Sequence, residues 1–367
     1  NSLGQAEGIL RRVHGGLPDV SQFCNQGDKM NQQSVNYSVS ALAAQNASTS
    51  CLSPASFLSH ILILPRRLWL DTPGVAATVP MLRGTWGAAL HDLDREAYAN
   101  VFGSDEESGG NTTPGYLMRP APPDPHCAPA IDFFLFGQAL EYDEACRHAW
   151  HEAARRGLGP KRQAFQIRGT FLLGPNGTLR EERSTRPHPG PLPPGEGERS
   201  GTARSPFPTQ AQPPIPNSQP LAWPLSQAVW PLDPNAPCRL VFNAPLRLRR
   251  RGCLIEQPTL ADIVVAGCRR IEAFLPEPLR DDWKCYSAAA LEAARNRPPA
   301  AWDGVRLDLH RWSARQKNEL DLHGVTGSLA LAEGPGELAP LLAAAQWLHL
   351  GKGTVMGLGQ FEVEDEG

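Results

Sequence analysis

The chain has no apolar run approaching the ~18 residues that a membrane helix needs; stretches such as Ile61–Leu64 are strand-sized. No C-x-x-C pair occurs among its eight cysteines, at 24, 51, 127, 146, 238, 253, 268 and 285, so zinc and thioredoxin-like readings lack support. Dispersed in this way, they read as buried free thiols in a reducing cytoplasm. The first thirty residues contain Arg11, Arg12 and His14 but no apolar core, so no secretory leader is expected. Without secretion, the Asn-x-Ser/Thr sites at Asn36, Asn46, Asn111 and Asn176 carry no meaning as glycan acceptors. An excess of either charge is also missing: 35 Lys and Arg stand against 38 Asp and Glu, a formal net charge of −3. That balance excludes a histone-like or arm-dominated polyanion binder. It leaves a local basic face open, because partners read the local field. What is present in excess is Gly and Pro, 34 and 36 of 367 residues, against ~12% for the two together in average proteins. The length favours two domains over one and is ample for a buried core.

Residues 1–55 are polar and weakly periodic, and read as a disordered extension, with a partner-binding tail as the alternative. Order is expected from Phe57. Phe57–Leu64 reads as a strand closed by Pro65. Leu82, Trp86, Ala89, Leu90 and Leu93 recur at helical spacing in a helix that carries Gly84 and Gly87. A helical glycine costs ~1 kcal/mol against Ala, and usually marks close approach by a neighbour. Residues 103–130 read as a loop. Ile131–Phe136 reads as a strand, Asp143–Arg156 as a helix stopped at Gly157, and Phe165–Leu173 as an alternating strand. A first domain is therefore expected over 56–180. Residues 186–224 carry 12 prolines in 39 positions. Accordingly 181–236 reads as a linker or surface insertion, with proline-rich docking as the alternative.

From 237 onward order is expected to resume. Cys238–Phe242 reads as a strand, and Thr259 as a helix cap with Asp262 three residues on. Leu260, Ile263, Val264, Ile271, Phe274 and Leu275 form a helical stripe behind that cap. Val305–Leu309 and Val325–Leu331 read as strands, Glu337–Leu348 as a helix and Val355–Val363 as a closing strand. Both halves thus predict β-α-β-β-α-β, an α+β protein of two tandem ferredoxin-like modules. Each is expected to have helices on one sheet face and to leave the other face free for binding.

The most informative segment is His349-Leu350-Gly351-Lys352-Gly353-Thr354-Val355-Met356-Gly357-Leu358-Gly359-Gln360-Phe361. Glycine permits tight backbone approach and positive φ, and a lysine among backbone amides suits a phosphate. The order helix–loop–strand excludes a Walker loop and a dinucleotide fingerprint. Alone, the segment is also consistent with a sharp structural turn. Upstream lie Arg311-Trp312-Ser313-Ala314-Arg315-Gln316-Lys317 and Leu322-His323-Gly324-Val325-Thr326-Gly327. Together with the closing helix and the glycine-rich end, these resemble the CRISPR repeat-processing endoribonucleases, the Cas6 family. Arg83–Leu90, followed by Tyr98 and Phe102, resembles that family's first helix. The resemblance covers 56–173 loosely and 238–365 well, and leaves out 1–55 and the proline-rich segment.

The resemblance implies two ferredoxin-like domains that bind one CRISPR repeat, as precursor and as retained guide RNA, with effector subunits or adaptation enzymes as further partners. It implies no metal, no cofactor and no membrane. Cleavage in the family proceeds by attack of the ribose 2′-OH on the adjacent phosphate, which leaves a 2′,3′-cyclic phosphate and a 5′-OH. Histidine suits both proton transfers near neutral pH. The candidate base is His91, with His349 second, although His349 also fits a helix-end role. His323 ranks third, and His60 reads as a core or sheet-face residue. Lys352 is the candidate phosphate contact and charge stabiliser, with Gly351, Gly353 and Thr354 beside it. Arg247, Arg249, Arg250 and Arg251 form a basic run, which Arg269 and Arg270 extend; a solvated, edge-protecting run is the alternative. Arg311, Ser313, Arg315 and Lys317 would grip an RNA stem, with Trp312 either stacking or packed in the core. Arg83 reads as a phosphate ligand or a helix-start residue. The alternative function is a catalytically inactive guide-RNA-binding subunit of an effector complex.

Overall fold

The computed structural model describes residues 53–103, 113–122, 129–182, 222–313 and 318–366. The expected extension lies outside the described residues as far as 52, and so does most of the proline-rich stretch, 183–221. The first lobe runs α1 (Pro54–Leu58), β1 (Leu62–Asp71), α2 (Val79–Leu93), α3 (Arg95–Phe102), β2 (Tyr116–Pro120), β3 (Ala130–Phe136), α4 (Asp143–Arg156), β4 (Gln166–Leu173), β5 (Leu179–Glu181) and β6 (Trp223–Pro224). Its sheet has the order β2-β3-β1-β4-β5, with β6 also on β1 and all neighbours antiparallel.

The second lobe runs β7 (Cys238–Leu246), β8 (Arg249–Arg250), β9 (Cys253–Leu254), α5 (Leu260–Glu272), α6 (Arg280–Asn296), β10 (Trp302–Leu307), β11 (His310–Ser313), β12 (Asn318–Asp321), β13 (Gly324–Leu331), α7 (Ala339–Leu348) and β14 (Glu362–Asp365). Its main sheet has the order β10-β13-β7-β14. In each lobe the first strand of the βαββαβ unit lies between the third and the fourth, which is the ferredoxin-like arrangement.

Several elements differ from the sequence expectation. Pro65 does not close a strand: β1 begins at Leu62 and runs through it. Proline is tolerated there because one flank of β1 changes partner at that point. β6 pairs with Leu62 and Ile63, whereas β4 pairs only from Arg66. The expected loop at 103–130 contains β2, whose Tyr116, Leu117 and Met118 are fully buried. The expected linker contributes Trp223, Leu225 and Trp230 to the core. α6 was not expected at all, and the closing strand is shorter than expected, with a 3₁₀ turn at Thr354–Met356 before it.

The continuous apolar run of β3 is explained by burial on both faces. Ile131, Phe133 and Leu135 pack against the first lobe's own helices, and Phe134 and Phe136 pack into the core of the second lobe. Phe134 and Trp223 both meet Trp347 edge-on, and Phe136 meets Phe274. Each such aromatic contributes roughly 1.5–3 kcal/mol by burial. The expected free face of the first sheet is therefore covered by α5 and α7, and the two lobes share one core. Asp132, the polar residue within the run, is fully buried and is neutralised by Arg67 at 2.7 Å and Arg119 at 3.1 Å.

Candidate RNA interface

The capping box expected at Thr259 is present: Thr259 accepts from the Asp262 backbone, and the Asp262 carboxylate accepts from the Thr259 backbone at 3.0 Å. It starts α5 beside the hairpin of β8 and β9. That hairpin turns on Arg251 and Gly252, both at positive φ (51° and 84°), as a two-residue primed turn requires. The arginine run is thus folded back on itself, and the expected alternation along a single strand face does not occur. Arg247 is buried, and its Nε donates to the His323 carbonyl at 2.7 Å. Arg249 and Arg251 are exposed, and Arg250 pairs with Asp262.

These residues line a cleft of about 800 Å³ between the hairpin, α5, α6 and the glycine-rich turn. Seven arginines (Arg247, Arg249, Arg250, Arg251, Arg269, Arg270 and Arg295) and Lys352 face it, against one acid, Asp262. Such a concentration of one sign in a concave site focuses the field on a polyanion. Arg295 was missed in the sequence because α6 was missed. The signal was there in Trp283, Ala290 and Ala294, which the helix buries together. Arg270 anchors the wall: its Nε donates to the Leu348 carbonyl at 3.1 Å, and its guanidinium lies 4.8 Å over Phe274. Burial lowers that group to about 10, so it stays protonated at neutral pH.

The glycine-rich turn reaches the cleft through Gly351 and the exposed Lys352, whose N–H donates to the Arg247 carbonyl at 3.1 Å. Its glycines also serve the protein's own packing. A Cβ at Gly351 would sit 2.6 Å from the Arg247 carbonyl oxygen, one at Gly357 would lie 3.1 Å from that of Met118, and one at Gly359 would overlap that of Leu350. A Cβ at Gly353 would lie 2.8 Å from the Leu358 side chain. Gly353 is half-buried and Thr354 is buried, and neither lines the cationic cleft.

His349 lines neither cleft. It is wholly buried at the end of α7, and neither ring nitrogen reaches a hydrogen-bond partner, although the Leu358 backbone passes beside it. No substrate atom reaches it in this arrangement. Arg83 is spent within the first lobe: its Nε donates to the Tyr116 hydroxyl at 2.6 Å, and its guanidinium packs 5.2 Å over Phe102. Arg311 and Ser313 lie on β11, the first strand of a hairpin with β12, and Arg315 and Lys317 lie outside the described residues.

His91 ends α2, where Asp94 leaves the helical conformation and caps α3 by accepting from Ala97 N at 2.9 Å. Its ring is half exposed, with Nδ1 3.2 Å from the Asp92 carboxylate and the Tyr98 ring edge-on at 5.1 Å. An ionised carboxylate only accepts, so Nδ1 carries the proton and Nε2 of the neutral ring is free to act as a base. Arg156 first, and then His91, hold the Asp92 carboxyl below its ordinary range. His91 lines a second cleft, about 1200 Å³, between the lobes. The two clefts share Thr113 and Ala273 and so lie side by side.

Two ferredoxin-like lobes joined beside a cation-lined depression define a tandem ferredoxin-like protein suited to a polyanion. The family comparison narrows this. Residues 240–361, most of the second lobe, match the model of the CRISPR-associated endoribonuclease Cas6. Among solved structures it is similar to a Cas6 product complex, at 17% identity over 83% of this chain and 100% of that one, with a TM-score of 0.44. It is also similar to a Thermus thermophilus Cas6, at 13% identity over 83% and 98%, with a TM-score of 0.46. A third likeness is to a partial Cas6-RT-Cas1–Cas2 complex, at 10% identity over 83% of this chain and 46% of that one, with a TM-score of 0.44. No curated protein matches in sequence. Among the described residues, no helix is long and apolar enough to cross a membrane.

Proposed function

We propose that the chain binds the repeat of a precursor CRISPR RNA and cleaves it without a metal ion. The observation that carries this reading is the adjacency of the two clefts: eight cationic side chains line one, and His91 lines the other. The cationic cleft holds the sugar–phosphate backbone. The RNA then passes Ala273 into the second cleft, where Nε2 of His91 takes the proton of the ribose 2′-OH. The 2′-oxygen attacks the adjacent phosphate, and the 5′-oxygen leaves. Cationic groups along the cleft stabilise the dianionic phosphorane between these steps. The retained product is then available to effector subunits or adaptation enzymes.

The test is to incubate the full chain with its repeat RNA in EDTA and to analyse the ends. Cyclic-phosphate and 5′-OH ends are expected, with His91→Ala lowering the rate by about 10²–10⁴. Tight binding without cleavage would overturn the enzyme reading in favour of a guide-RNA-binding subunit.

A further inference from the structure

Transesterification needs two proton transfers, and His91 performs only one of them. The cleft that contains His91 also contains His60, whose sequence surroundings suggest a core or sheet face. In the structure His60 is exposed, in the turn between α1 and β1, where its backbone N–H is tied to the Phe57 carbonyl at 3.1 Å. That turn is anchored on both sides by fully buried Leu58 and Ile61, so the side chain starts from a fixed point. The acidic groups lining this cleft are Glu96, Glu141 and Glu277, and its other cations are Arg95 and Arg280. Glu96 accepts from the Tyr142 hydroxyl at 3.3 Å. Carboxylates are ionised at neutral pH and arginines do not give up their protons, so neither class supplies a proton to a leaving alkoxide. Tyr98 also lines the cleft, but its ring is held between His91 and Phe102. His60 and His91 are the histidines that line this cleft.

We infer that His60 is the general acid of the cleavage reaction, the partner of His91 in the same cleft. This rests on the endoribonuclease reading under Proposed function. A lone pair of the 2′-oxygen forms the new P–O bond as His91 Nε2 takes the 2′-OH proton. The P–O5′ bond breaks, its electron pair stays on O5′, and the ring proton of His60 moves to that oxygen. The products are a 2′,3′-cyclic phosphate and a 5′-OH, with His91 protonated and His60 neutral. Exchange with water restores both, so no net proton, oxidant or cofactor is required.

The experiment compares the repeat RNA with the same RNA carrying sulfur in place of the bridging 5′-oxygen at the cut. A thiolate leaves without protonation, so this substrate needs no acid. His60→Ala and His60→Gln are expected to slow cleavage of the oxygen substrate by about 10²–10⁴ and to leave the sulfur substrate close to the wild-type rate. His91→Ala is expected to slow both. An acid must be protonated to act, so the His60 variants should also lose the decline in rate on the alkaline side of the pH profile. Equal slowing of both substrates, or an unchanged rate on the oxygen substrate, would overturn the assignment. Absence of cleavage by the wild-type chain on either substrate would instead remove the endoribonuclease reading on which it stands.

Discussion

Lys352 and Arg249 are exposed and line the same cleft as the buried anchors Arg247 and Arg270. A phosphate contact by either releases counterions on binding, so its removal has a signature that a structural role lacks. Lys352→Ala and Arg249→Ala should each weaken RNA affinity and reduce the slope of log affinity against log salt by ~0.7–0.9 for each phosphate left without its cation. An unchanged slope, measured by filter binding across a salt series, would take that residue out of the interface. Gly359 presents the opposite case, since it makes no contact with RNA in this reading. At φ 70° its missing Cβ makes room for the Leu350 carbonyl. Gly359→Ala should therefore destabilise the fold by more than the ~0.4–1 kcal/mol by which the same change stabilises a position whose backbone alanine can adopt, read as a fall in the urea midpoint.

At the scale of elements, α5 connects stability with the site. Its capping box starts the helix, its last turn carries Arg269 and Arg270, and the residues just beyond it, Ala273 and Phe274, reach the place where the two clefts adjoin. Thr259→Ala should cost ~1 kcal/mol in chemical denaturation and leave the RNA salt slope unchanged, because it removes no cationic group from the cleft. The glycine-rich turn is the second such element. One side of it offers Gly351 and Lys352 to the cleft, while the 3₁₀ turn behind docks on β2 through Gly357. The same segment therefore serves the cleft and joins the lobes.

At the scale of the molecule, His349 sits in that junction. Its backbone is at φ 56° and ψ 162°, a region that glycine favours and that costs other residues ~1–3 kcal/mol. Burial first, and then the guanidinium groups of Arg119 and Arg270, push its imidazole well below its ordinary value of 6.5. In the unfolded chain the ring takes up a proton near ~6.5, whereas in the folded chain it stays neutral. Below that pH the unfolded state binds more protons, so stability is full above it and falls with pH toward the lowered folded value. The melting temperature should drop between pH 7 and pH 5, and His349→Asn should flatten that drop. A variant with the wild-type pH dependence would show that another group is responsible.

Much of this protein is legible in its linear pattern. The helical stripe behind Thr259, its Asp262 partner, the alternation of Phe165–Leu173 and the twofold β-α-β-β-α-β order are local, because period and capping depend on residues within a few positions of one another. The basic run and Lys352 were legible as charges for the same reason. What only the tertiary structure decided depends on separations of tens to hundreds of residues. Arg295 and Lys352 face one cleft, His349 is sealed in the lobe junction, Arg83 is held by Tyr116, and His60 shares a depression with His91. None of these follows from spacing, because burial is settled by which faces of distant elements meet. The first sheet here is covered on both sides, so positions that a single-domain pattern marks as open surface became core.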